Sequence, residues 1–117
     1  MKLIMTRGDA FSRLFALKQA NGSPLDPTSG SLYFTGKTST RLADDAATFQ
    51  KTVGSGITIV DGPTGIINVE LDAADTSSLY APAVLKWDLQ YVDALGKPYT
   101  LLSGDLVVKP DVTRTIS

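Results

Sequence analysis

Apolar and polar residues alternate with a period of two along most of this chain, and turn-forming residues separate the alternating runs. The first run is KLIMT, Lys2 to Thr6, closed by Arg7-Gly8-Asp9. AFSRLFALK follows, with Phe11, Phe15 and Leu17 on one face that Arg13 interrupts. ANGSPLDPTSG carries an Asn-Gly step and two prolines and cannot continue a central strand. In SLYFTGKT, Leu32, Phe34 and Gly36 take the core side, and Tyr33, Thr35 and Lys37 the solvent side. Runs so rich in β-branched and aromatic residues fit a half-buried sheet surface.

STRLADDAATFQKTVGSG is less regular. Leu42, Ala46 and Phe49 are spaced for a short helical turn, while ATFQKTV also reads as a strand with Phe49 and Val53 inward; a loop followed by a strand is the preferred reading. GITIV and GIINVELD then flank DGPTG, a turn expected to need Gly62 and Gly65 at positive φ and Pro63 for a preset bend. Ile57 and Ile59 share a face of the first of these strands, as do Ile67, Val69 and Leu71 of the second. DAADTSSLYAP is the best candidate for a short helical connection, with Asp72 capping its start and Pro82 ending it. In the last hairpin Leu85, Trp87, Leu89 and Tyr91 alternate with Lys86, Asp88 and Gln90. DALGK turns the chain, with Gly96 suited to the left-handed position, and YTLLSGDLVVK returns until Pro110 removes a ladder donor.

The pattern predicts roughly eight short strands and at most one short helical turn, the spacing of an all-β sandwich or barrel. The chain of 117 residues is expected to form one domain over its whole length, with no repeat, linker or low-complexity tract. The expected core comprises Phe15, Phe34, Ile59, Ile67, Val69, Leu71, Trp87, Leu89 and Leu106.

Composition narrows the chemistry more than it names it. The apolar share of 43% and charged share of 20% are ordinary for a globular protein. With 11 basic and 12 acidic residues scattered along the chain, no stretch offers the concentrated Lys and Arg that displace phosphate counterions, which argues against a nucleic-acid partner. There is no cysteine, so disulfides, thiolate metal sites and cysteine nucleophiles are excluded. There is no histidine, so Ser-His-Asp chemistry and imidazole metal sites are excluded as well. MKLIMTRGD has one lysine and three apolar residues before polar chain resumes, short of the roughly 7–15 apolar residues of a secretory signal. No segment approaches the ~20 apolar residues of a membrane-spanning helix, so no membrane partner is expected.

Few residue groups remain as candidate sites. Asp44-Asp45, and Asp72 with Asp75, are the nearest approach to carboxylate clusters. They lack calcium-loop spacing, and turn or cap roles explain them; the lone glutamate, Glu70, falls on an outward strand position. GSG at Gly54 to Gly56 precedes a strand, whereas a phosphate loop precedes a helix. It reads as a hairpin or bulge. RGD at Arg7 to Asp9 matches a short adhesion motif, but three common residues match by chance often, and a turn between the first two strands explains them. Trp87, Tyr33, Tyr91 and Tyr99 are available to stack on sugars; Trp87 shares its face with Leu85 and Leu89 and belongs to the core. Tyr33 and Tyr80 are the more plausible surface aromatics. Neither catalytic nor metal-binding residues are assigned, and no cofactor is expected.

The order of these features resembles a family of small phage and prophage structural proteins, similar to the N-terminal domain of phage baseplate upper proteins. The resemblance runs from about Met5 to Arg114. TRGD leads into a strand, ANGSPLD into GSLYFTGKT, and FQKT precedes GSGITIV; the best matches are DGPTGIINVELDAADTSSL and the closing GDLVVKPDVTR. It implies an immunoglobulin-like antiparallel β-sandwich and a non-enzymatic virion component, made in the host bacterial cytoplasm. Such a component binds other phage structural proteins in the tail or baseplate or as a fibre adaptor, and is homo-oligomeric or present in many copies. Family members often continue into a receptor-binding or coiled-coil region, whereas this sequence runs to Ser117, so adaptor and stand-alone decoration both stay open. Gly36 departs from the branched residue usual at its inward position and signals a bulge or a close approach.

On this reading the contacts lie on the first strand (Lys2, Ile4 and Thr6), on the surface aromatics Tyr33 and Tyr80, and on the tail after Pro110, with Val112 and Arg114. A capsid decoration or head-fibre protein is the alternative within the same class. A carbohydrate-binding host-attachment module, with glycan stacked on Tyr33 or Tyr80, is the alternative from another class.

Overall fold

The structure, a computed structural model, describes residues 1–38, 47–77, 79 and 81–110. The period-two runs become strands β1 (Lys2–Thr6), β2 (Phe11–Ala16), β3 (Ser31–Lys37), β4 (Phe49–Val53), β5 (Gly56–Asp61), β6 (Ile66–Leu71), β7 (Ala83–Val92) and β8 (Pro98–Lys109). A single turn of helix, α1 (Ala73–Thr76), lies between β6 and β7. The fold is therefore all-β, with eight strands among the described residues, close to the number expected. Asp44, Asp45, Leu42, Ala46, Tyr80, Val112 and Arg114 lie outside the described residues.

All eight strands belong to one continuous sheet in the order β1-β8-β7-β3-β4-β5-β6-β2, rather than to two separate hydrogen-bonded sheets. β2 stands four ladder steps from β3, about 19 Å along a flat sheet at ~4.8 Å per step. Yet the Phe15 ring of β2 lies 6.2 Å from that of Phe34 on β3 and 5.9 Å from Trp87 on β7. The sheet must curl over on itself for these rings to meet, so the apolar faces of its two halves form one core.

The bend sits at β4–β5. Gly54 and Gly56 adopt φ of 86° and 103°, and Thr52 and Ser55 exchange backbone hydrogen bonds of 3.2 and 2.9 Å. Only two residue pairs, Thr52 with Gly56 and Val53 with Ile57, are in register across this corner, and they run parallel. GSG is thus a corner between half-sheets. Val53, read from the sequence as an inward anchor, is 45% exposed, because the chain leaves the plane of β4 at that residue.

β1 pairs in parallel with β8, and apart from the short parallel contact between β4 and β5 the remaining ladders are antiparallel. Strands from opposite ends of a chain carry no short connection, so the parallel arrangement is open to them.

The core holds every expected residue except Ile59, which is partly buried and packs against it beside a register shift between Ile59 and Asp61. Among the described residues, Leu3, Met5, Leu17, Leu32, Phe49, Ile57, Leu85, Tyr91 and Val108 join them. Thr35 takes the outward phase but is only 7% exposed, since it sits mid-sheet between β4 and β7 and receives a 3.1 Å hydrogen bond from Gln50 Nε2. Register is continuous through Gly36, so no bulge occurs there. The Phe49 ring occupies the space a Cβ would take, and a close approach is the reason for glycine. In DGPTG only Gly65 has positive φ, at 72°. Gly62 is required instead because Thr28 and Asp26 pack against it, with 2.8 Å between an added Cβ and Thr28 Cγ2. The Asp26 carboxylate is held below its usual range by hydrogen bonds from the Thr28 hydroxyl and backbone N–H, at 2.7 and 3.0 Å.

The turn after β1 is tied to α1 by a buried bond. Thr76, 0% exposed, accepts the Gly8 N–H through Oγ1 at 3.0 Å. Thr76→Val keeps the side-chain shape but leaves that buried donor unpaired, an expected loss of about 1–3 kcal/mol. Denaturant titration reads the loss directly, and Thr76→Ser should recover most of it.

Candidate protein interface

The outer face of β1, β8, β7 and β3 shows how cross-strand register sorts polar and apolar residues. Asp105 stands between Lys2 and Lys86, and Lys86 faces Lys37. The next outward row brings Gln50, Thr35, Asp88 and Ser103 together. A groove of about 390 Å³ runs over these two rows, lined by Thr35, Lys37, Lys86, Asp88, Ser103 and Asp105 among others. Lys86 Nζ lies 2.7 Å from Asp105 Oδ1, an exposed pair in which the two charges largely offset one another.

The row nearer the β1–β2 turn differs. Ile4 stands opposite Val107, and Val107 opposite Val84. Ile4 is 49% and Val84 53% exposed, with Val107 half-buried between them. Three β-branched residues therefore make an apolar stripe where neighbouring rows carry lysine, aspartate and serine. The stripe ends on β1, which terminates the sheet.

Among the described residues that terminal strand has no partner on its outer backbone edge, and its polarity follows from two bonds. Met1 C=O accepts from Asp105 N–H, and Arg7 N–H donates to Lys109 C=O. In a parallel ladder alternate residues address the same neighbour, so Met1, Leu3, Met5 and Arg7 face β8. The N–H and C=O groups of Lys2, Ile4 and Thr6 consequently point away from the sheet. The Thr6 carbonyl also accepts the Asp9 N–H at 3.1 Å. The three first-strand residues expected from the sequence thus combine outward side chains with outward backbone groups. Val84 and Val107 escaped the sequence reading; their signal was an apolar residue on the outward phase of strands otherwise lined with Lys, Asp and Gln.

The remaining candidates do not converge. Tyr33 is half-buried, opposite Thr52 and Gln90 and well along β3 from the stripe. Tyr99 is 49% exposed at the start of β8, while Tyr91 opposite it is buried. Within the RGD turn, Arg7 Nη1 donates to Leu79 C=O at 3.0 Å and Gly8 is buried, so both residues serve the local structure. Asp72 precedes α1 as its N-cap, and Asp75 accepts the Asp72 N–H at 2.7 Å while pairing with Lys51 Nζ at 2.9 Å. Among the described residues no three carboxylates gather, and no helix is long and apolar enough to cross a membrane. No protein-family model matches the sequence, and no curated protein matches it.

Proposed function

We propose that this chain is a non-enzymatic structural protein of a bacteriophage particle, binding other virion proteins in the tail or baseplate or as a fibre adaptor. The observation that carries the proposal is the terminal strand β1, whose backbone edge, unpartnered among the described residues, is continuous with the exposed row Ile4–Val107–Val84. An open strand edge beside an apolar stripe is the surface that β-augmentation uses. On a symmetric particle many weak copies of one contact add up.

The immunoglobulin-like reading of the fold belongs to the same proposal. Strand order supports it: β8-β7-β3 matches the G-F-C run of that architecture, and β5-β6-β2 matches D-E-B. The likeness is one of order, since there is no cysteine for an inter-sheet disulfide and the tryptophan lies on β7.

Purified particles of the phage that encodes the chain provide the test. Quantitative mass spectrometry is expected to find from a few to some tens of copies per particle, the order set by an axial tail position. Hundreds of copies would instead make it a shell decoration, and its absence from particles would end the reading. Ile4→Lys, which places a charge on the edge, should lower incorporation about tenfold. Deleting residues 112–117 should lower it too; unchanged incorporation removes the tail from the interface.

A further inference from the structure

We propose that this chain forms a two-fold dimer in which β1 pairs antiparallel with β1 of a second copy, centred on Ile4. The proposal rests on reading this edge as an interface and names its occupant.

Register carries the argument. Antiparallel strands join through pairs of residues that exchange both backbone bonds, and such pairs recur at every second residue. The outward groups of β1 belong to Lys2, Ile4 and Thr6, which have that spacing. A two-fold axis through Ile4 sets Ile4 against its symmetry mate and Lys2 against Thr6 of the other copy, on both sides of the axis. All three outward residues are used, with the Thr6 carbonyl, which already accepts the Asp9 N–H, taking the second copy's Lys2 N–H on its other lone pair. Centring on Lys2 would set like charges face to face and leave a single bonded pair, which disfavours that register.

The side chains agree with this choice. Directly opposed residues in an antiparallel pair lie on one face. Ile4 therefore packs on Ile4 of the second copy, and each row Ile4–Val107–Val84 continues into its mate across the axis. The two Lys2 side chains end up about 14 Å apart along the strands, beyond the screening length at physiological salt. The charged neighbours that a strand edge ordinarily uses to repel other edges thus fall opposite threonine, and the exposed apolar residue falls on itself.

The chain has no cysteine, which makes the register directly readable. In the full chain carrying Ile4→Cys, mild oxidation or a short bis-maleimide should produce a covalent dimer as the main product. Opposed bonded pairs bring Cα atoms to about 5.5 Å, within disulfide range. Lys2→Cys alone should cross-link at least tenfold less. An equimolar mixture of Lys2→Cys and Thr6→Cys should cross-link to each other.

Sedimentation of the unmodified chain should show its mass rising from 12.4 kDa toward twice that with concentration. Ile4→Lys and Ile4→Glu should each sediment as monomers, with thermal melts matching that of the wild-type chain when it is diluted to monomer, and their mixture should recover the dimer. A wild-type chain that stays monomeric to about 1 mM overturns the dimer, as does equal cross-linking at positions 2 and 4. If that monomer still loses particle incorporation on Ile4→Lys, the edge binds a different protein and the proposed function stands without the dimer. A dimer that forms as described, with Ile4→Lys particles fully loaded, supports this inference and removes the edge from virion assembly.

Discussion

Trp87→Ala is expected to lower the unfolding free energy by about 3–5 kcal/mol, the range for truncating a buried aromatic residue. Trp87 is 3% exposed, its ring lies 5.3 Å from that of Phe34 and 5.9 Å from that of Phe15, and Nε1 donates to the Asp105 carbonyl at 3.2 Å. Its two ladder neighbours are glycines, Gly36 on β3 and Gly104 on β8. Neither can extend a side chain into the void, so the cavity should collapse poorly. A domain of this size is stable by about 5–15 kcal/mol, so the loss is a large share of the total and should lower the melting temperature by roughly 10–20 °C. Circular dichroism melts of wild type, Trp87→Ala and Trp87→Phe test this. Phenylalanine should restore most of the stability, lacking only the hydrogen bond and part of the area. A Trp87→Ala loss under about 1 kcal/mol would mean that the two halves of the sheet do not close on this ring.

Gly36→Val is expected to destabilise by about 3 kcal/mol, toward the upper end for overpacking. The position has ordinary strand geometry, so backbone conformation is not the obstacle. A Cβ at Gly36 would run into the Phe49 ring. That ring cannot simply swing aside, because it stacks on Phe34 with centroids 5.8 Å apart and planes 10° from parallel. The double-mutant cycle with Phe49→Ala isolates the cause. With the ring gone, valine at 36 should cost about 1–2 kcal/mol less than it does alone, and chemical denaturation can resolve a coupling of that size. Strict additivity would show that something other than Phe49 excludes a side chain there.

The sequence was legible where local rules decide. β1, the β5–β6 hairpin and the inward face Leu85-Trp87-Leu89-Tyr91 could be read directly, because period-two alternation and glycine-proline turns act over a few residues. The end of β8 was legible for the same reason, since Pro110 carries no donor. Lys2, Ile4 and Thr6 were legible as a set, as the outward phase of a first strand. Val53 and Gly62 were misread: each obeys its local pattern, and the chain's path overrode it, at the corner after β4 and at the packing of Thr28 against the DGPTG turn.

By itself, then, the alternation of residues determined that this is an all-β chain and which side of each strand is apolar. The missing histidine and cysteine determined which chemistries it lacks. Only the tertiary structure decided which strand lies beside which. Pairing between β1 and β8 joins residues some hundred positions apart, and no local pattern encodes such a register. That pairing makes β1 a sheet edge, turns its even-numbered backbone groups outward, and lines up Ile4 with Val107 and Val84. Three unremarkable aliphatic residues, distant in sequence, become a single surface through strand order alone.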